Sequence, residues 1–296
     1  MNRHITRAAV LPLLVLCSGN AGADWQLDTS IALQYNDNLP NASLDQDIRD
    51  GTAFDFRFSP GIFSQLSGYS RLSITADLDV IRQFDYQGLD SIAAGVTGAL
   101  RRKFGLGPHA PWMRISGSAG HLDFKDNQRD GWSYSAVVEA GKLLTQRLSV
   151  MGSYRYERRR ADDSEDIPFL VNNFGIRGDA FDTDAHNLGI NGQYEINSRL
   201  SLILGYTCRT GSITATTLRN NEIFAASDAI SADPVFGPDR FAYRIEADTS
   251  IFTVGLSMAV NDSMSVNFNY TYQDSDAYED LAYSNNLVRL DLLYSY

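Results

Sequence analysis

Apolar and polar residues alternate along most of this 296-residue chain. In the segment 25–35 the apolar residues fall mostly at odd positions, and from Phe54 onward they fall mostly at even positions, as in Phe54, Phe56 and Phe58. A period of two residues is typical of β-strands that have one apolar and one polar face. The pattern therefore predicts a chain built almost entirely of strands.

The connections between the predicted strands alternate in length. Short turns are expected at 67–69, 105–110, 145–147, 197–199 and 261–263. Longer polar loops are expected at 36–51, 83–90, 125–131, 158–184, 211–240 and 274–285. Five short turns and six longer loops make twelve strands, with both ends on the short-turn side. Transmembrane antiparallel barrels have an even number of strands, short periplasmic turns and longer outside loops. The sequence therefore predicts an all-β, up-and-down transmembrane barrel of twelve strands.

A soluble β-sandwich is the alternative fold, because its strands also alternate. The predicted strands are about 10 residues long, which matches a tilted membrane span better than the five or six residues of an ordinary strand. Aromatic residues at strand ends are typical of the girdles at the two membrane interfaces. The girdle candidates are Trp25, Tyr35, Trp132, Tyr134, Tyr154, Tyr156, Tyr194, Tyr270, Tyr272, Tyr294 and Tyr296. The ending 292–296 also resembles the C-terminal signal that delivers outer-membrane proteins to the barrel-assembly machinery.

The first residues predict a secretory signal peptide. Arg3 and Arg7 precede an apolar run, 8–17, and the small residues 21–23 follow it, so cleavage is expected after Ala23. We therefore expect residues 1–23 to be a cleaved signal and residues 24–296 to form the barrel in the outer membrane of a Gram-negative bacterium. Lipidation at Cys17 is the alternative, although Leu16 stands where lipoprotein signals have a small residue. No later stretch approaches the 18 apolar residues that indicate a membrane helix.

Charged residues fall at positions that the alternation turns toward the lumen. Strand 1 and the weakly patterned fifth strand have the opposite parity to the others, so Asp28 and Arg114 also face inward. The lumen candidates are Asp28, Asp55, Arg57, Asp77, Asp79, Arg101, Arg114, Glu139, Arg155, Glu157, Glu195, Arg209, Arg289 and Asp291. Eight-stranded barrels are filled by side chains and barrels of 16 to 18 strands hold a water channel, so twelve strands leave two interpretations. The charges either pair across a filled interior or line a pore.

No constellation in the sequence predicts an enzyme. The histidines of the expected mature chain are His109, His121 and His186, and neither strand histidine has the His-x-Ser pattern of outer-membrane phospholipases and lipid-A deacylases. Asp182 and Asp184 precede His186, but such a cluster is more typical of a solvated loop. We expect no catalytic residues, cofactor or metal.

Acidic residues outnumber basic ones, and the net charge is −11. This balance repels nucleic acid, and much of it falls in the long loops, for example at Asp45, Asp47 and Asp50. The loops are expected to be solvated; contact with lipopolysaccharide sugars through divalent ions is a second option. The expected partners are outer-membrane lipid, lipopolysaccharide and the barrel-assembly machinery. A non-conducting surface or scaffold barrel that binds partners through these loops is the alternative to a channel.

A local motif resembles a known family. The segment Tyr35-Asn36-Asp37-Asn38 resembles the Y-x-D-N segment near the start of β-barrel porins associated with exopolysaccharide operons, and so do the repeated Arg-Leu-Ser hairpin starts at 71–73, 147–149 and 199–201. The resemblance implies passage or export of a polysaccharide and, as partners, the polysaccharide or export components. The residues themselves predict only a polar-lined barrel.

Overall fold

The computed structural model describes residues 23–164, 166–277 and 281–296, and the predicted signal peptide lies outside this part of the chain except for Ala23. Its cleavage stays a prediction. The strands are β1 (Ala23–Asn36), β2 (Gly51–Ser67), β3 (Ser70–Gln83), β4 (Ser91–Lys103), β5 (Trp112–Phe124), β6 (Gly131–Leu143), β7 (Leu148–Ala161), β8 (Thr183–Glu195), β9 (Leu200–Leu218), β10 (Ala229–Ala232), β11 (Arg240–Ala259), β12 (Met264–Ala277) and β13 (Ala282–Ser295). Two short helices, α1 (Pro168–Phe174) and α2 (Asn221–Ala226), lie in the connections.

Twelve of these strands form a closed antiparallel barrel. Each pairs with its neighbour along the chain, β9 pairs with β11, and β13 returns to pair with β1. The closing seam aligns Ile31 with Leu292 and Leu33 with Leu290. The short strand β10 pairs with the start of β11, forms a single bridge to Arg177 through Ala229, and is not part of the barrel wall. The predicted fold class and strand number are confirmed.

The outer face of the barrel is apolar. Ile74 and Val96 are 51% and 56% exposed, and Ile115 on β5 is 50% exposed. Residues directly opposite each other in an antiparallel pair share a face, and Ile115 is aligned with Val138, which is also exposed. Apolar side chains therefore cover the exterior where lipid would contact it. Within the described part of the chain, no helix is long and apolar enough to cross a membrane.

Two strands are longer than the sequence pattern predicts. The segment 211–240 was expected to be a loop, but β9 continues to Leu218 and β11 already begins at Arg240. The reason is a second buried surface beyond the barrel wall: Tyr243 and Ile245 of this hairpin pack with Ile223 of α2 in a hydrophobic cluster. Burial of these apolar side chains stabilises the extended part of the hairpin. Strands of this length that were exposed to solvent would lack this stabilisation. Among the described residues, this apolar cluster thus lies at the long-loop end of the barrel.

Candidate functional site: the barrel lumen

One ionic cluster joins three strands on the inner face. Arg289 Nη1 lies 2.8 Å from Asp55 Oδ2, and Arg289 Nε lies 2.7 Å from Asp291 Oδ1. Ala32 on β1 is aligned with both Asp55 and Asp291 and is buried between them. The small alanine side chain lets the arginine extend over β1 to β2. Arg289 also donates a hydrogen bond to Gln34 Oε1 at 3.1 Å, so one guanidinium ties β13, β1 and β2 together at the barrel seam.

Three further inward pairs follow the wall. Arg57 and Asp79 join β2 to β3 at 2.5 Å, and Arg114 and Glu139 join β5 to β6 at 3.4 Å. Arg209 on β9 reaches over β8 to Glu157 on β7, at 3.4 Å. Each pair, like the Arg289 cluster, joins strands that are one or two positions apart. The predicted lumen charges are therefore held along the wall and do not bridge the barrel diameter.

Two predicted lumen acids are held by hydroxyl groups. Asp77 accepts hydrogen bonds from Thr97 Oγ1 at 2.7 Å and Thr75 Oγ1 at 3.3 Å. Asp28 accepts one from Ser295 Oγ at 2.6 Å. These donors lie on the same or a neighbouring strand, so both carboxylates are hydrogen-bonded without an arginine partner.

Three predicted lumen charges lie outside these ionic clusters. The Arg101 guanidinium is 4.4 Å from the centroid of the Trp112 ring. Arg155 is exposed on β7, and Glu195 is exposed at the end of β8, where its backbone N–H donates to the carbonyl of Arg147. Within the described residues, Arg101, Arg155 and Glu195 make no ion pair with an oppositely charged side chain. Whether any of the fourteen candidates lines a conducting pore stays a prediction.

Most girdle candidates lie in the end thirds of their strands, but Tyr154 and Tyr270 lie at mid-strand, and the girdle as a whole stays a prediction. Trp25, Tyr194, Tyr294 and Tyr296 lie toward the short turns, and Tyr35, Trp132, Tyr134, Tyr156 and Tyr272 lie toward the long loops. Several bind polar groups through their hydroxyls: Tyr154 Oη lies 2.7 Å from His186 Nδ1, and Tyr270 Oη donates to Asn286 at 2.6 Å. An apolar ring with a hydrogen-bonded polar tip is the chemistry expected at a membrane interface.

Asp182 and His186, two members of the predicted acidic cluster, bind different groups. Asp182 accepts hydrogen bonds from Arg160 Nη1 at 2.6 Å and from the Ala161 backbone N–H at 2.7 Å. His186 instead contacts Tyr154 on the outer face. In residues 23–164, 166–277 and 281–296, no group of three His, Cys, Asp or Glu side chains is arranged to hold a metal ion.

Four connections fold over the long-loop end of the lumen, and we call the residues 37–50, 84–90, 125–130 and 219–239 the mouth cap. Asp47 is fully buried, pairs with Arg240 at 2.9 Å and accepts a hydrogen bond from Thr217. The expectation that the acidic loops are solvated is therefore wrong for Asp47. Its physical reason is that both carboxylate oxygens find strong donors, which offsets the cost of removing the charge from water.

A second buried carboxylate joins opposite sides of the mouth cap. Asp233 is fully buried, lies 2.6 Å from Arg129 Nη2 and accepts a hydrogen bond from Thr216 Oγ1 at 2.5 Å. Nearby, the rings of Tyr86 and Phe236 are 5.2 Å apart, so the connection after β9 reaches the loop between β3 and β4. These contacts narrow the long-loop end of the barrel.

Burial also affects an acid at the edge of the mouth cap. Desolvation raises the pKa of the Asp130 carboxyl above its usual range, while the backbone N–H of Phe124, which donates to Oδ1 at 2.6 Å, acts in the opposite direction.

Cavities lie at both ends of the lumen. Beneath the mouth cap is one of about 470 Å³, whose lining includes Arg129, Glu157 and Arg209. At the short-turn end is one of about 710 Å³, whose lining includes Arg101 and Trp112. Open space lined by polar side chains is therefore present at both ends of the lumen.

No family model matches the chain, and no curated protein matches it. Among solved structures, an outer-membrane channel from Pseudomonas putida is similar at 12% identity and a TM-score of 0.54, over 93% of this chain and 96% of that one. The NanC porin has 14% identity and a TM-score of 0.48 over 90% and 98% of the two chains. The CymD monoaromatic hydrocarbon channel has 9% identity and a TM-score of 0.46 over 92% and 88%. At such identities the first similarity shows the fold alone.

That fold is the closed twelve-stranded barrel of outer-membrane channels. Only a closed barrel satisfies every backbone group of a membrane-spanning sheet, and the exterior of this one exposes apolar side chains on every strand pair described above. The protein is therefore an outer-membrane β-barrel.

Proposed function

We propose that the protein is a porin-like channel that lets polar solutes cross the outer membrane. The observation that carries this proposal is the lateral pairing of the inward charges, which leaves polar space between the walls. A lumen filled by its own paired side chains would instead need partners that meet across the diameter. The cavities at the two ends supply entry sites.

A saccharide is the solute class that we propose. The wall of the cavity at the short-turn end carries uncharged amides and hydroxyls, including Asn191, Gln193 and Ser149. Such groups both donate and accept hydrogen bonds, as the hydroxyls of a saccharide require. The Y-x-D-N resemblance points in the same direction, and on that basis we propose a polysaccharide as substrate and export components as partners. Outer-membrane lipid, lipopolysaccharide and the barrel-assembly machinery are proposed as the surrounding partners.

We propose that the short turns face the periplasm and that the mouth cap faces outward. The solute would then pass the larger cavity at the short-turn end and the smaller cavity beneath the mouth cap. The test is conductance of the purified protein in a planar bilayer: discrete steps of current support a channel, and a silent bilayer containing inserted, heat-modifiable protein argues against it.

The second candidate function is a non-conducting surface barrel. The mouth cap favours it, because the Asp47–Arg240 and Asp233–Arg129 pairs hold loops across the lumen end. The two functions differ in what breaking these pairs does. In a channel the cap is a partial constriction and the wild type already conducts, whereas in a surface barrel conduction appears only when the cap is disrupted.

A further inference from the structure

Three arginines lie side by side on the inner wall. The strand register aligns Arg71 on β3 with Arg101 on β4, and Arg101 with Arg114 on β5. We call these three residues the arginine row. Adjacent strands are about 4.8 Å apart, so the row spreads its charges over about 10 Å of wall. In a chain with a net charge of −11, this local excess of positive charge is unusual.

The row has an electrostatic cost within the fold. Like charges directly opposite each other on neighbouring strands destabilise a sheet. Arg114 is relieved by Glu139 at 3.4 Å. Within the described residues, Arg71 and Arg101 pair with no carboxylate. Of the other inward arginines, Arg57 and Arg209 each pair with one carboxylate and Arg289 pairs with two. Arg155 on β7 also pairs with none among the described residues, but it is not aligned with another arginine.

Aromatic rings, and not acids, support the two uncompensated arginines. The Arg71 guanidinium lies 3.5 Å from the centroid of the Phe63 ring and donates to Gln26 Oε1 at 3.0 Å. The Arg101 guanidinium stacks near Trp112. Trp112 in turn lies against Gly141, where a side chain would collide with the indole, since a Cβ there would be 2.6 Å from it. Stacking fixes a guanidinium plane while leaving most of its N–H donors free.

The free donors face open space. Arg71 and Arg101 both line the cavity of about 710 Å³ at the short-turn end, together with Lys103 and the uncharged Asn191 and Gln193. The planar fork of arginine matches carboxylate and phosphate oxygens, and pairs of this kind are stronger than neutral hydrogen bonds.

We propose that the arginine row is a binding site for solutes that carry closely spaced oxyanions, such as the carboxylates of an acidic oligosaccharide. The amides opposite would hold the hydroxyls, and the row would hold the acid groups. The site deepens the proposed channel function and rests on it for its physiological role, although binding itself requires only access from the short-turn end.

The test compares two variants of the full mature protein in detergent. The first, with Arg71→Gln and Arg101→Gln together, removes the uncompensated charges and leaves Arg114 to pair with Glu139. The matched control is Arg102→Gln, which removes a positive charge from the next position of β4, on the outward face beside Phe104. Titration calorimetry with trigalacturonate as probe, and with maltotriose as its uncharged counterpart, measures binding.

Wild type and the Arg102→Gln control should bind trigalacturonate at least about tenfold more tightly than maltotriose, and the double variant should lose about tenfold in affinity for the acidic probe. Equal affinity for the two probes, or an unchanged affinity in the double variant, overturns the proposal. A heat-modified gel shift on each variant verifies the barrel. If the double variant does not fold, Arg101→Gln alone, which retains the Arg71 contacts, supplies the same comparison.

Ion selectivity separates this site from the channel proposal. In a KCl gradient the double variant should have a chloride-to-potassium permeability ratio lower by about threefold for each charge removed, from the Coulomb energy of charges several ångströms apart in water. Conductance without arginine-dependent binding or selectivity overturns the site and leaves the channel standing. Arginine-dependent binding in a barrel that conducts nothing overturns the channel and leaves the site.

Discussion

Arg289 reaches over strand β1 to bind Asp55 on β2, with 2.8 Å between Nη1 and Oδ2. The contact exists because Ala32, the residue between them, is too small to block it. Since β1 and β13 are the first and last strands, the cluster secures the seam where the barrel closes. The same residues that would shape a pore wall thus also hold the barrel together.

Because of this dual role, two arginine substitutions should differ in their effect on stability, although the sequence alone predicts the same inward position for both residues. Arg289→Ala leaves Asp55 and Asp291 buried without their cation and should cost about 3 to 5 kcal/mol. Arg57→Ala removes an exposed partner of Asp79 and should cost less than about 1 kcal/mol. Urea unfolding followed by the heat-modified gel shift measures both. Equal losses of stability in the two variants would show that the seam cluster stabilises the barrel no more than the Arg57–Asp79 pair does.

Breaking the mouth cap should widen the long-loop end. In the double variant Asp47→Asn and Asp233→Asn, each substitution neutralises a buried carboxylate and leaves its charged partner, Arg240 or Arg129, without it, which should cost about 3 to 5 kcal/mol per pair. We expect a higher single-channel conductance and faster hydrogen exchange in residues 37–50. The control is Asp45→Asn, at an exposed position of the same loop. Conductance unchanged from wild type would show that the cap does not restrict flow.

The orientation of the barrel can be tested with single cysteines. Cys208 is exposed on the barrel exterior, so the background variant is Cys208→Ser. A cysteine at Ser164, in the long connection after β7, should react with a membrane-impermeant reagent on intact cells, and a cysteine at Ser198, in a short turn, should react only after lysis. The opposite labelling pattern would invert the proposed topology.

The last residue should be needed for assembly. Tyr296 exchanges two backbone hydrogen bonds with Leu27 across the closing seam, at 2.8 and 3.0 Å, each contributing about 1 kcal/mol. Deleting Tyr296 removes both bonds and the terminal aromatic ring, so folded barrel in the outer membrane should decrease. Tyr296→Phe retains the backbone bonds and the ring and should assemble normally. A deletion variant that assembles as well as wild type would contradict this expectation.

The barrel could be predicted from the sequence because its constraint is local. One apolar face against lipid imposes a period of two on every strand, and this fixes which side Asp55 or Arg101 faces once the parity is known. The mouth cap could not be predicted in this way. Asp47 and Arg240 are 193 positions apart, and nothing in either segment indicates that a loop acid will be buried.

The arginine row could be predicted from the sequence only in part. Arg101 and Arg114 were predicted to face inward, but Arg71 was missed, although its odd position on the third predicted strand carries the same signal. Their alignment depends on the register of β3, β4 and β5, which alternation alone leaves open because β5 is weakly patterned. The sequence also does not indicate that Arg289 pairs with Asp55. Alternation predicts the face on which each residue lies, but these two residues are on strands that are not neighbours.

Single-channel recording of the wild-type protein in a planar bilayer tests the central claim most directly. If the inward charges line open space, as their lateral pairing indicates, the protein should give discrete current steps in KCl, and Arg57→Ala should change ion selectivity while leaving the barrel folded. Folded, inserted wild-type barrels that pass no current would contradict the account and favour a non-conducting surface protein, whether or not the cap variant conducts.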